Sequence, residues 1–219
     1  MMILYIRYMH VLIVGSTGAI GKLLLQLLID CEQVIQITTI NRRITKVKHE
    51  KLTEVVTDFN KLSELDIGHT DVAFCCLGST IKKAGSNSAF ERVDLDFVVD
   101  FAKLSKRLIA AQFHVVSAAG ASKSSLFFYN RVKGHMEEAI RQVGIKQTYV
   151  YRPSLLDSER TEKRKGERLA INLFRVLNAI LVGPLRKYAS IKTSKVAQGM
   201  LNNALNPQDG FHIIESDQI

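Results

Sequence analysis

His10-Val11-Leu12-Ile13-Val14-Gly15-Ser16-Thr17-Gly18-Ala19-Ile20-Gly21 stands near the start of the chain and determines its fold. Five residues, mostly β-branched or leucine, predict a short buried strand, His10 to Val14. The glycines then recur as GxxGxxG, and Ile20 to Ile29 continues as an apolar helix. In a strand–turn–helix setting each glycine has a physical use. The first permits a tight turn, the second lets backbone approach a pyrophosphate, and the third lets helix and strand pack closely. The helix N-terminus adds unpaired N–H groups and a partial positive charge. The whole loop, Gly15, Ser16, Thr17, Gly18, Ala19, Ile20 and Gly21, is therefore a candidate dinucleotide cradle. No Gly-Lys-Ser/Thr ending follows, which excludes a nucleoside-triphosphate P-loop.

Downstream, apolar runs alternate with helical stretches. Strands are predicted at Val34 to Ile40, Glu54 to Thr57, Asp71 to Leu77, Phe113 to Val116 and Tyr149 to Tyr151. Helices are predicted over Phe90 to Arg107 and Ser125 to Val143, the second stopped by Gly144. This alternation predicts an α/β, Rossmann-like parallel sheet with helices on both faces. After Pro153 the rhythm changes. Ser158 to Arg168 is densely charged, Leu169 to Val182 is an apolar helix, and a helix Lys195 to Leu205 precedes a last strand, Phe211 to Glu215. Residues 1–219 thus read as a single NAD(P)-binding domain, in which 154–210 contributes a small C-terminal substrate cap and elements returning to the sheet.

Composition narrows the class. The 219 residues are 47% hydrophobic and 23% charged, which is ordinary for a folded soluble domain and excludes extensive disorder. With 30 Lys plus Arg against 21 Asp plus Glu, the net charge is +9. Such a balance fits plain solubility or a phosphorylated small molecule. No aromatic-basic interleaving supports nucleic acid, and no apolar stretch reaches the ~20 residues of a membrane span. Three cysteines, Cys31, Cys75 and Cys76, make no disulfide framework. They suit a reducing compartment, and a cytoplasmic location is expected. No Cys/His spacing resembles a metal site. Arg7 interrupts a mock signal sequence, so residues 1–8 read as an extra leader before the first strand.

The end of the second strand carries the next signal. NAD binders place an acidic residue there, on the ribose 2′-hydroxyl. Here the position is Asn41, followed by Arg42 and Arg43. Two guanidiniums without a carboxylate suit a 2′-phosphate, so NADP(H) is expected over NAD(H). Asp58 and the adjacent Phe59, closing the third strand, are placed as contacts at the adenine edge; helix N-capping is the alternative for Asp58.

Tyr129-Asn130-Arg131-Val132-Lys133 is a YxxxK, which puts both side chains on one helical face. The spacing recurs at Tyr188 and Lys192, and only context separates the two. Tyr129 follows a strand ending at Ser117; Tyr188 has no such strand. Carbonyl reduction needs a proton donor for the developing alkoxide. A phenol titrates near 10 and needs a cation beside it to work at pH 7. The catalytic candidates are therefore Tyr129 as proton donor, Lys133 as its tuning cation and Ser117 as orienting hydroxyl.

These residues carry a resemblance. The chain resembles an atypical short-chain dehydrogenase/reductase and is most similar to the Tat-interacting-protein oxidoreductase family and its bacterial relatives. The likeness runs through Gly15 to Gly21, Asn41-Arg42-Arg43, Phe74-Cys75-Cys76-Leu77-Gly78-Ser79-Thr80 and Arg92-Val93-Asp94. It continues through Ser117, Lys123-Ser124-Ser125, Tyr129, Lys133-Gly134, Arg152-Pro153 and Arg164-Lys165-Gly166-Glu167. It implies NADP(H) binding, with Leu77, Gly78 and Ser79 lining the cofactor cleft and Arg152 and Pro153 near the nicotinamide. Three departures stand out. Asp94 occupies the place of a common asparagine, a Ser-Ser pair is Ser117-Ala118, and Arg107-Leu108-Ile109 replaces a usual glycine. The expected function is an NADPH-dependent oxidoreductase acting on a small carbonyl or hydroxyl substrate. The alternative is a non-catalytic NADPH-binding regulator or assembly factor, which would act through a protein partner.

Overall fold

The computed structural model describes residues 8–157 and 189–219. The opening strand β1 (Met9–Val14) is almost wholly buried and turns at Gly15 into helix α1 (Ala19–Asp30). Strands β2 (Val34–Asn41), β3 (Leu52–Val56), β4 (Val72–Cys75), β5 (Gln112–Val116), β6 (Gln147–Arg152) and β9 (Gly210–Glu215) complete one sheet. Its order is β3-β2-β1-β4-β5-β6-β9, and every neighbouring pair is parallel. The strand order reverses between β1 and β4. In open α/β sheets the crevice for a ligand lies there, outside the carboxyl ends of the strands.

Two apolar layers sandwich the sheet, which explains why its central strands read as unbroken apolar runs. Ile13, Leu24, Leu28, Phe74, Val196 and Met200 pack one layer, with α1 and helix α6 (Thr193–Leu205). Leu12, Val14, Phe101, Phe113, Met136 and Ile140 pack the other, with helices α4 (Phe97–Arg107) and α5 (Phe128–Val143).

The predicted helix Phe90–Arg107 is divided. Helix α3 (Asn87–Glu91) starts earlier, capped by Ser86 Oγ on the Ala89 amide. A π-helical turn spans Arg92–Asp96 before α4 begins. The predicted start of α5 at Ser125 moves to Phe128. Ser122 and Ser125 hold the preceding loop through their hydroxyls, the local competition that keeps serines out of helix interiors. Two short elements carried no sequence signal: helix α2 (Ile81–Ala84), and a two-stranded parallel ladder of β7 (Leu156–Asp157) with β8 (Ile191–Lys192). A 3₁₀ turn at Phe59–Glu64 follows Asp58, as the N-cap alternative for that residue implied. The charged stretch 158–168, the apolar helix 169–182, Tyr188 of the second YxxxK and residues 1–7 lie outside the described residues. Among the described residues, no helix is long and apolar enough to cross a membrane.

Candidate functional site

The glycine loop is built as its spacing predicts. Gly15 has φ +79°, and a Cβ there would stand 2.5 Å from the Cys76 carbonyl carbon. A Cβ on Gly21 would stand 2.2 Å from the Gly15 oxygen, so α1 lies directly on the turn. Gly18 caps α1 with backbone only: it offers no side-chain hydrogen bond, and the first turn has no acidic residue. The helix N-terminus keeps its donors and its positive end for an anion, which fits a dinucleotide pyrophosphate. Thr17 is exposed at the tip, Ala19 is half-buried, and Ile20 is buried in the apolar layer.

Asn41 is buried and spends its amide inside the protein. It accepts from Ser16 Oγ at 2.9 Å and donates to Glu54 Oε1 at 2.9 Å and Thr39 Oγ1 at 3.2 Å. Asn41 and Ser16 therefore brace the loop. Glu54 also accepts from the Thr45 amide at 2.9 Å, fixing the segment that carries Arg42 and Arg43. Sequence reasoning placed no carboxylate here; the β2–β3 register, with Thr39 opposite Glu54, brings one in. Arg42 and Arg43 are exposed, and the Arg42 guanidinium lies 6.0 Å from the Phe59 ring centroid. Phe59 is buried, edge-on to Phe97. Asp58 N-caps the 3₁₀ turn through the Asn60 amide at 3.0 Å. That bond and the Asn60 side chain hold its carboxyl below the ordinary value.

Tyr129 and Lys133 lie on one face of α5. Tyr129 is half-buried against the Phe90 ring, 5.3 Å between centroids. Lys133 is buried, and its Nζ pairs with Asp94 Oδ1 at 2.8 Å. Burial works against the ammonium, but the Asp94 carboxylate, together with Tyr129, outweighs it, so Lys133 titrates above an ordinary lysine. Asp94 is wholly buried in the π-helical turn, and its other oxygen accepts from the Ser79 amide at 2.8 Å. Gly78 lies beside it: a Cβ there would sit 3.6 Å from Asp94 Oδ1, an ordinary contact. Leu77 packs on the edge of the apolar layer beside α4. The neighbouring Cys75 thiol is buried and pushed up to about 12, an inert form.

Ser117 is turned inward. Its hydroxyl donates to Glu137 Oε1 at 2.5 Å. Glu137 stands one turn beyond Lys133, and Arg152 forks onto it at 3.1 and 2.7 Å while reaching Glu215 at 3.0 Å. The guanidinium expected near the nicotinamide is thus held by two carboxylates. Pro153 is buried, and its carbonyl accepts from the Ala119 amide at 2.9 Å. Glu137 carried no signal of its own in the sequence, although Tyr129, Lys133 and Glu137 recur at i, i+4 and i+8. Among the described residues, no cluster of His, Cys, Asp and Glu could hold a metal ion.

A parallel sheet with its order reversed at β1, a glycine turn under an uncapped helix and a Tyr/Lys pair on α5 define the class: an NAD(P)-binding Rossmann protein of the atypical short-chain dehydrogenase/reductase kind. Protein HTATIP2 of Rattus norvegicus is 36% identical over 216 residues, 95% of this chain and 87% of that protein. The mitochondrial protein FMP52 of Meyerozyma guilliermondii is 35% identical over 158 residues, 69% of this chain and 67% of its own. The chain belongs to the HTATIP2 family, as the sequence motifs implied. No family model matches it. The Bordetella bronchiseptica enzyme WbmH, solved with NAD+, shares the fold at a TM-score of 0.67 and 14% identity, covering 95% of this chain and 75% of its own. The expected cytoplasmic location is corrected by the fungal relatives, which are named as mitochondrial proteins. Cysteine usage reports a reducing environment and does not distinguish one such compartment from another.

Proposed function

We propose that the chain is an NADPH-preferring reductase of small carbonyl compounds, with Tyr129 as the proton donor. The observation that carries this reading is the Lys133 ammonium, buried, ion-paired at 2.8 Å and one helical turn from a half-buried Tyr129. A cation fixed there favours the phenolate and eases proton transfer from the Tyr129 Oη to a developing alkoxide. A bound NADPH supplies the hydride. The pyrophosphate is assigned to Gly15–Gly21 and the 2′-phosphate to Arg42 and Arg43. Glu54 keeps its negative charge while accepting from Asn41 and Thr45, so preference for the 2′-phosphate requires the two guanidiniums to outweigh it.

The test is a titration with NADPH and NADH, read by cofactor fluorescence; the chain has no Trp to interfere. NADPH is expected to bind at least ~10-fold more tightly than NADH, and R42E/R43E to abolish the difference. In a carbonyl screen Tyr129→Phe is expected to lower turnover roughly 100-fold or more with NADPH affinity unchanged. Binding of neither nucleotide overturns the proposal. One observation favours the second reading, a non-catalytic NADPH-binding regulator: the Ser117 proton is already given to Glu137. Tight NADPH binding without turnover on any carbonyl would select that reading.

A further inference from the structure

We infer that Asp94 is a positioning residue. Its one buried carboxylate anchors the Lys133 ammonium on α5 and, through its other oxygen, the Ser79 amide on the loop leaving β4. The inference rests on the reading of Tyr129 as proton donor. Asp94 sits where an apolar residue belongs: Phe90, Asp94, Phe97 and Phe101 recur at i, i+4, i+7 and i+11, and the three phenylalanines are buried. A carboxylate in such a stripe is tolerated only if it is paired. The π-helical turn Arg92–Asp96 carries it, the kind of helix irregularity that recurs at functional sites. Its two oxygens are committed to different elements, each at 2.8 Å. The groups facing Lys133 are Asp94 from the π-turn, Tyr129 from its own helix and Cys75 from β4. Asp94 is the one carboxylate among them, and burial pushes the Cys75 thiol up to about 12.

An asparagine at 94 separates the two anchors. Its carbonyl can still accept from Ser79, but Lys133 then has no counter-charge, and burial drives it toward the neutral amine. The Tyr129 phenol loses the cation beside it.

The experiment is a tyrosinate absorbance titration of the full chain without cofactor, with Tyr129 isolated by difference from Tyr129→Phe. In Asp94→Asn the Tyr129 component is expected to move up by at least about one pH unit. NADPH affinity should change less than ~3-fold in Asp94→Asn and fall ~10-fold or more in Asp94→Ala, which loses the Ser79 acceptor too. Asp94→Glu should return the Tyr129 titration toward wild type. With a carbonyl substrate, Asp94→Asn should lower kcat and shift its pH profile, leaving KM nearly unchanged. A Tyr129 titration unmoved in folded Asp94→Asn overturns the inference. If that variant does not fold, ¹⁵N-lysine NMR of the wild type decides. One ammonium resonance, missing in Lys133→Met, must be protected from exchange and persist above the ordinary lysine range; its absence overturns the inference. If the chain reduces no carbonyl, the titration still decides whether Asp94 holds the cation beside Tyr129. An active enzyme with an unmoved titration sinks Asp94 alone.

Discussion

Ser117 donates its hydroxyl to Glu137 Oε1 at 2.5 Å, and both side chains are buried. The bond joins the end of β5 to the third turn of α5, and Arg152 closes the cluster from β6. A hydrogen bond to a buried carboxylate contributes about 1.5–3 kcal/mol. Ser117→Ala is therefore expected to lower the thermal midpoint by roughly 3–12 °C for a chain of this size. Glu137→Ala should cost more, because it strips the partner from Ser117 and from two Arg152 nitrogens. Thermal unfolding of both variants checks the order; Glu137→Ala proving the milder change would contradict the role given to this carboxylate.

The glycine loop makes a graded prediction. A methyl at Gly21 meets the Gly15 carbonyl oxygen at 2.2 Å, a backbone atom with no room to retreat. A methyl at Gly18 meets the same oxygen at 3.2 Å, a few tenths of an ångström too tight. Gly21→Ala is expected to unseat α1 and lose nucleotide binding together with several kcal/mol of stability, on the order of an overpacked core. Gly18→Ala should fold, cost about 1 kcal/mol and weaken nucleotide binding. Denaturant unfolding and NADPH titration of the pair measure both consequences.

Acid stability is set in part by His114. Its ring stacks on Tyr149 at 4.6 Å, its Nε2 meets Gln112 Oε1 at 3.1 Å, and its Nδ1 meets the Tyr151 hydroxyl at 3.1 Å. Gln112 is oriented by donating to the Ala204 carbonyl, and Asn203 donates to the Tyr151 oxygen. These bonds are all satisfied by a neutral ring carrying its proton on Nε2. Burial pushes His114 down to about 3 from 6.5. Between those values the unfolded chain binds the extra proton, so stability falls as pH drops below 6.5. This group alone should remove about 2 kcal/mol between pH 7 and pH 5, at about 1.4 kcal/mol per pH unit. Urea unfolding at the two pH values, with His114→Gln as the reference lacking that slope, tests it.

Ile109 takes φ +63° in the turn after α4, where the sequence lacks the usual glycine. A β-branched residue in the left-handed region costs roughly 1–2 kcal/mol, and the side chain is 75% exposed, so it recovers little by packing. Ile109→Gly is expected to stabilise by about 0.5–1 kcal/mol, since the freer unfolded chain offsets part of the relief. A thermal midpoint that falls in this variant would show that the turn is held by the side chain instead.

The sequence by itself determined the sheet and its glycine turn. Strand and helix periods are local, and the uses of Gly15, Gly18 and Gly21 follow from atoms within one turn of chain. It also marked Tyr129 and Lys133, because residues four apart on a helix must share a face. Asp94 stood out in the sequence only as a departure from the common asparagine, and nothing local names its partner. Tertiary structure alone paired Asp94 with Lys133, Ser117 with Glu137, Arg152 with Glu215 and Asn41 with Glu54. Each of those pairs joins different elements of the fold, and strand register together with helix phase decides which carboxylate meets which donor. Burial then fixes the charge: a buried basic side chain titrates up beside a carboxylate, as Lys133 does, and down without one, as His114 does.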